Sequence, residues 1–387
     1  MEPVATITRR GADRLAAGHP WIYRSDVEKP PPGARAGDVV AVADGRRRFL
    51  AKAFWSERSQ IALRVVTRDE EPVDEPFFAA RLASAAELRR RAFGDETSVR
   101  LVHGEADLLP GLVVDRYGPA AVIQTPIPAT DRRKEMLADL LVQSLGLSCV
   151  VERNDARVRE LEGLVQQKGI LRGADPGPVE YREGAARMLL DLLSGQKTGA
   201  FLDQRENRLR AGEYARGRCL DCFTYAGAFA LQLATRAEQV TAVEMQAPAA
   251  RQARENAALN GARIEVVEGN AFDLLRDEAE KPPSWDLVVL DPPAFAKNKA
   301  SVPAARRGYK EINLRAMQIL KPGGILVSAS CSYHVPEAML EEIIHEAARD
   351  VGRPAQVLER RGASRDHPVL LGVPETRYLK CFVVRLP

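Results

Sequence analysis

From about Leu189 to Pro387, short apolar runs alternate with longer amphipathic ones. Cys219–Phe223, Val240–Glu244, Ile264–Glu268, Leu287–Leu290 and Ile325–Ser330 are short and aliphatic, the pattern of strands buried on both faces. Helical patterns lie between them, starting near Ala226, over Ala247–Asn260 and near Ile312–Leu320, with another over Glu337–Arg349. Strands alternating with helices predict βαβ units and a parallel sheet covered by helices. Val357–Arg360 and Tyr378–Leu386 close the chain, the last as an expected antiparallel edge addition to the sheet.

Two smaller segments precede this region. Residues 1–72 carry Val39–Val42 and Arg48–Ala53 around the hairpin signal Asp44-Gly45, and then Gln60–Val66. Residues 1–70 hold 13 Lys/Arg against 9 Asp/Glu, so the chain's net charge of +3 divides into +4 over residues 1–70 and −1 over the remainder. Residues 73–184 mix a helix around Phe77–Leu88, strands at Val99–His103, Gly111–Asp115, Ala120–Gln124 and Ser148–Glu152, and a helix over Asp131–Leu145 with Thr130 as its expected cap. The third segment is 185–387. No apolar run approaches the ~18 residues of a membrane helix. The N-terminus lacks a basic-then-apolar leader pattern. Five scattered cysteines fit a reducing compartment. These features predict a cytoplasmic protein with no membrane partner.

Ligands of an open α/β sheet bind at the carboxyl ends of its strands. The first strand ends in Asp221-Cys222-Phe223-Thr224-Tyr225-Ala226-Gly227, where small residues admit a ligand to the backbone at a helix start. This is not the G-x-G-x-x-G fingerprint of dinucleotide binding. The second strand ends in Glu244-Met245, with an acid suited to two ribose hydroxyls. The third is followed by Asn270-Ala271-Phe272, suited to an adenine. Together these predict a nucleoside cofactor without a pyrophosphate, S-adenosylmethionine (SAM). Taken singly, each has a plainer account: a solvated loop acid or a packing glycine.

Asp291-Pro292-Pro293-Ala294-Phe295 follows the fourth strand and Ser330-Cys331-Ser332-Tyr333-His334 the fifth. With Gly18-His19-Pro20-Trp21-Ile22-Tyr23, Gly111-Leu112-Val113-Val114-Asp115-Arg116-Tyr117-Gly118 and Gly195-Gln196-Lys197-Thr198-Gly199-Ala200-Phe201-Leu202-Asp203-Gln204-Arg205, nearly the whole chain resembles the RlmI-like class I SAM-dependent methyltransferases. That resemblance implies an α/β fold. A Rossmann-like domain with a mostly parallel seven-stranded sheet follows a small β-barrel PUA domain and a central α+β module. It implies 5-methylcytosine formation in ribosomal RNA, 23S being the substrate, and a homodimer as one assembly. It places Lys197, Thr198, Phe201, Asp203, Gln204 and Arg205 at the border of the active site, and Asp291 and Pro292 beside cofactor and base. An alternative account of residues 203–214 is a helix capped by Asp203, with Leu209 and Tyr214 inward.

Cytosine C5 is too weak a nucleophile to attack a sulfonium unaided. A thiolate added at C6 makes C5 enamine-like. Cys331 is the expected nucleophile, and Asp291 the acid facing the N3/N4 edge. Many cytosine-5 RNA methyltransferases carry a second cysteine on the Asp291 loop; none lies between Asp291 and Phe295 here, so the base that removes the C5 proton is unassigned, His334 being a candidate by proximity only. Cys149, Cys219, Cys222 and Cys381 are expected to be buried small hydrophobes. The pair Cys219/Cys222 lacks a second pair at zinc spacing, so no metal is expected. Arg9, Arg10, Arg14, Arg24, Arg46, Arg47 and Arg48 are candidate phosphate contacts, with Lys297, Lys299, Arg306, Arg307 and Lys310 beside the pocket. Trp21 and Tyr23 are potential stacking platforms, although core packing is the preferred account of Trp21. Two rival functions stay open: an exocyclic amino methyltransferase using Asp291-Pro292-Pro293 without covalent catalysis, and a non-catalytic RNA-binding assembly factor.

Overall fold

The computed structural model describes residues 2–195 and 198–387, which divide into two compact units. The first comprises residues up to Tyr181, Leu190–Leu202 and Arg365–Thr376; the second comprises Arg182–Leu189, Asp203–Ser364 and Arg377–Pro387.

The first unit contains two sheets. A six-stranded sheet runs in the order Trp21–Tyr23, Ile61–Thr67, Phe49–Trp55, Val39–Ala43, Val4–Ile7, Val27–Lys29. Its alternating Val40, Val42, Ala51, Ala53, Leu63 and Val65 enclose one apolar core. The Asp44-Gly45 turn is held by a side chain. The Asp44 carboxylate accepts from the backbone N–H groups of Arg46 (2.9 Å) and Arg48 (3.0 Å) and from Arg48 Nε (2.8 Å). These bonds, the Arg48 N–H first, hold Asp44 below the usual carboxylate range. The second sheet is five-stranded, in the order Gln167–Arg172, Cys149–Asn154, Ala120–Gln124, Val113–Tyr117, Ser98–His103. Where one helix was expected over Asp131–Leu145, there are two, Pro128–Asp131 and Lys134–Leu145. Thr130 is not their cap. It lies within the first, its hydroxyl donating to the carbonyls of Gly111 (2.7 Å) and Ile127 (3.2 Å), which fastens the turn before the longer helix.

The second unit carries the parallel sheet. Its strands are β1 (Arg218–Cys222), β2 (Gln239–Glu244), β3 (Ile264–Glu268), β4 (Trp285–Leu290), β5 (Leu320–Ser330), β6 (Gln356–Arg361) and β7 (Lys380–Leu386). They lie in the order β3-β2-β1-β4-β5-β7-β6. The first five are mutually parallel, and β7 is antiparallel to both β5 and β6. The helices are α1 (Arg205–Tyr214), α2 (Ala228–Leu233), α3 (Ala247–Leu259), α4 (Ala271–Ala279), α5 (Val302–Ile319) and α6 (Glu337–Val351). Alternate residues of one strand enter cores on opposite faces. Leu220 and Cys222 of β1, Val288 and Leu290 of β4 and Phe382 and Val384 of β7 pack with α4, α5 and α6. Cys219, Leu287, Val289, Cys381 and Val383 pack on the other face with α1 and α2.

The last strand departs from expectation. It is antiparallel but not an edge: β7 enters between β5 and β6, and β6 is the edge. Its sequence agrees with an interior position, since Arg385 is its one exposed residue.

Phe382→Ala, in the core beneath α6, is expected to destabilise this unit by ~3–5 kcal/mol, whereas Arg385→Ala should stay within about 0.5 kcal/mol of the parent. Urea unfolding followed by tryptophan fluorescence separates the two; equal midpoints would refute the interior placement.

Candidate functional site

Strand order reverses between β1 and β4, opening a crevice at their carboxyl ends. The β1 exit is conformationally unusual. Phe223 (φ 66°), Tyr225 (φ 51°) and Gly227 (φ 86°) all lie in the left-handed region. Two non-glycine residues held there within three positions mark a backbone over-determined by its surroundings, a hallmark of ligand-binding turns. Gly227 is required twice over, because a Cβ there would also stand 3.3 Å from Ala253 Cβ on α3.

Asp221, at the end of β1, is fully buried. Its Oδ2 accepts from Thr224 Oγ1 (2.5 Å) and Ala230 N (3.0 Å), while its buried Oδ1 has no hydrogen-bond partner among the described residues. Burial pushes its pKa up to about 7; the Thr224 bond opposes this and the nearby Asp291 charge adds to it. Glu244 ends β2 half-buried. Its Oε2 accepts from Tyr225 N (3.0 Å) and its Oε1 from Gln246 N (2.8 Å), so the carboxylate is fixed between two loops. Met245 beside it is 67% exposed. Asn270 caps α4, accepting from Phe272 N at 3.0 Å through its amide oxygen. Phe272 touches both Phe223 and Phe295, each at 6.0 Å between ring centroids, and Phe295 meets Tyr309 at 4.6 Å. Ala271 is buried in the core, and the Ala226 carbonyl accepts from Asn256 Nδ2 (2.9 Å).

Pro292, buried, and Pro293, exposed, follow Asp291 at the end of β4. Asp291 Oδ1 accepts from Gln204 Nε2 (2.8 Å), and Gln204 Oε1 in turn accepts from Asn207 Nδ2 (2.7 Å). Cys331 follows β5 directly and is half-buried, while Cys149, Cys219, Cys222 and Cys381 are buried. Burial pushes the Cys219 thiol up to about 11 and the Cys381 thiol up to about 12. Two serines flank Cys331. Ser330 Oγ donates to Tyr309 Oη (2.8 Å), which lies 2.9 Å from Ser332 Oγ, and Ser332 Oγ accepts from Ala296 N (3.2 Å). The Cys331 loop and the Asp291 loop are thereby joined through Ser332, which the Tyr309 phenol holds together with Ser330. Sequence patterns missed both Tyr309, which resembles any apolar-face residue of α5, and the role of Gln204 in orienting Asp291.

Other expected residues are placed differently. Asp203 does not cap α1; its Oδ2 accepts from Tyr378 Oη (2.6 Å), and Gln204 occupies the cap position without a side-chain bond. α1 buries Arg205, Asn207 and Arg208 together with Ala211 and Gly212, Arg208 pairing with the buried Glu183 at 3.2 Å, whereas Leu209 and Tyr214 are half-buried. Phe201 belongs to the first unit, and Lys197 lies outside the described residues. Lys297 and Lys299 are exposed on the loop after Asp291. Arg306 and Lys310 are instead paired, with Glu342 and Glu346 and with Asp350. In the first unit Arg46 and Arg47 are exposed. Arg48 pairs with Asp44, Arg9 lies 3.8 Å from Asp13, and Arg10 and Arg14 neutralise the buried Asp26 at 2.5 and 2.6 Å. Trp21 is half-buried and lies outside its sheet's apolar core, its Nε1 donating to Glu105 Oε1 (2.9 Å).

These residues fit a nucleoside with an amino-acid tail. A fixed carboxylate could accept from two hydroxyls, an aromatic edge lies nearby, and a buried carboxyl oxygen lacks a donor among the described residues. Fold and site together define a class I SAM-dependent methyltransferase. Residues 5–68 match the PUA-like domain family and residues 173–366 the S-adenosylmethionine-dependent methyltransferase family. The chain is 39% identical over 380 residues to the ribosomal RNA large subunit methyltransferase I of Aeromonas salmonicida, with 96% of each chain covered. It is 35% identical to that of Vibrio cholerae, with both chains covered in full. It belongs to this family. Among solved structures, SMU.776 in complex with SAH superposes with a TM-score of 0.85 over 99% of this chain and 100% of that one, at 19% identity, and so shares the fold.

Glu244→Gln keeps the shape and removes the charge. SAM affinity measured by calorimetry is expected to fall about tenfold, or ~1.4 kcal/mol; unchanged affinity would show that Glu244 serves the loops alone. Asp221 generates a pH dependence. Its folded pKa of about 7 stands above the ~3.9 of an unfolded chain, so between these values the folded state holds the extra proton. Stability of the second unit should therefore decline as pH rises from about 4 to 7, and Asp221→Asn should flatten that slope in melting curves.

Proposed function

We propose that this protein methylates C5 of a cytosine in 23S ribosomal RNA through a covalent adduct at Cys331. The observation that carries this reading is Cys331 itself. Of five cysteines it is the one that is not buried, and it leaves the carboxyl end of β5 next to the strand that ends in Asp291. The relatives named above are ribosomal RNA large subunit methyltransferases, which supports RNA as the substrate. The PUA-like match supports a separate RNA-binding element, with Arg46 and Arg47 exposed to phosphates.

SAM would be held by Asp221, Glu244 and the backbone of the Phe223–Gly227 turn, and would supply an electrophilic methyl group whose S–CH3 bond breaks to release S-adenosylhomocysteine. The Cys331 thiolate adds to C6, forming an S–C6 bond and moving the C5=C6 electron pair to C5, which becomes the nucleophile for methyl transfer. Asp291, fixed by Gln204, faces the N3/N4 edge of the base and stabilises the adduct. Loss of the C5 proton to solvent water restores the C5=C6 double bond and breaks the S–C6 bond, releasing the Cys331 thiolate. The target base must be extruded to reach this crevice. Lys297 and Lys299 on the Asp291 loop offer exposed cations to the flanking phosphates.

Cys331→Ala is expected to abolish methylation of ribosomal RNA while leaving SAM binding intact. RNA carrying 5-fluorocytosine should form a covalent complex with the parent protein and none with the variant. Methylation by Cys331→Ala at the parental rate would instead support transfer to an exocyclic amine; SAM binding without transfer to any RNA would favour an assembly factor.

A further inference from the structure

Lys380 opens β7 and faces Ser330 across the antiparallel β5–β7 ladder. Its side chain is 3% exposed. The ammonium donates to the Ser332 carbonyl (2.7 Å) and the Tyr378 carbonyl (2.8 Å). Paired across from Ser330 and bonded to Ser332, it brackets Cys331 between the two. Among the described residues no carboxylate pairs with it, and its third N–H has no acceptor. A buried ammonium without a counter-ion is costly, and such groups are normally paired. Burial accordingly lowers the Lys380 pKa to about 8, opposed by the charges of Cys331 and, more weakly, Glu337.

The geometry points to Lys380 as the positioning residue that holds Cys331 as a thiolate, the thiol proton leaving to solvent and the ammonium keeping its own. This rests on Cys331 being the nucleophile. The nucleophile is the thiolate, and an adjacent cation lowers a cysteine pKa from its ordinary ~8.5. The other charged or titratable groups around the pair are Tyr309 on α5, Glu337 on α6 and Asp291 after β4. Tyr309 is neutral, because burial raises its pKa, and its hydroxyl is engaged by the two flanking serines. Glu337 pairs with Arg377 at 2.6 Å, and Asp291 is held by Gln204. Among these described groups Lys380 is the cation that interacts with Cys331.

The test is the pH dependence of alkylation by iodoacetamide, with the modified cysteine identified by mass spectrometry. Cys331 should react first, because the other four cysteines are buried. In the unmodified protein the midpoint for Cys331 is expected below ~8.5. In Lys380→Met it should rise by at least one pH unit, about a tenfold loss of thiolate at pH 7. A midpoint at or above 8.5 in the unmodified protein overturns the proposal even if the variant does not fold; so does a midpoint unmoved by Lys380→Met. The covalent reading fails separately, through methylation by Cys331→Ala, and that result leaves the thiol titration where it was.

Discussion

Parallel strands constrain everything else in the second unit. Each must be followed by a crossover that returns the chain to the opposite end of the sheet, so every strand exits along one edge. The order β3-β2-β1-β4-β5 sends two crossovers to one side of β1 and two to the other, and the loops after β1 and β4 diverge. Asp221, Glu244, Asp291 and Cys331 are 110 positions apart from first to last, yet each stands at the exit of a strand. The chemistry gathers there because backbone topology leaves those ends open, and the residues are otherwise unrelated in local sequence.

Holding such ends in register is a separate task, done with polar groups. Tyr309 is fully buried on α5 and takes part in two hydrogen bonds with the serines on either side of Cys331. Ser332 reaches the other loop through Ala296 N. Gln204 performs the same service for Asp291 from the start of α1. Buried polar networks stabilise little on balance, but they define one arrangement where an apolar core would tolerate several. A site assembled from the ends of several strands needs that definition.

The legible and illegible parts of the sequence divide along the same line. Strands buried on both faces betray themselves as aliphatic runs, so Leu287–Leu290 and Val240–Glu244 were plain, and so were the acids at their ends. Spatial order was not. The apolar run Cys381–Val384 fits an interior strand, but it does not name β5 and β6 as its neighbours, because strand order is set by pairings distant in sequence. Capping failed for a related reason. Asp203 and Thr130 have the side chains of caps, but Tyr378, 175 positions away, and the Gly111 carbonyl use them instead. Long-range partners overrode local preference, and local sequence does not carry them. Tyr309 and Lys380 were invisible for the same cause, each looking like one more residue of a helix face or a strand.

Charge completes the account of why these positions are occupied as they are. Burial raises the Asp221 pKa, and the nearby Asp291 charge adds to the rise. Two ionised carboxylates under one crevice would repel; one neutral and one anchored by an amide leave room for a cationic ligand. At the neighbouring strand the sign reverses. Lys380 is buried with only carbonyl oxygens for company. Carbonyl dipoles solvate an ammonium but cannot neutralise it. The site therefore has one side short of positive charge and another short of negative charge. A sulfonium-bearing cofactor and a thiolate nucleophile are the two species that would supply them.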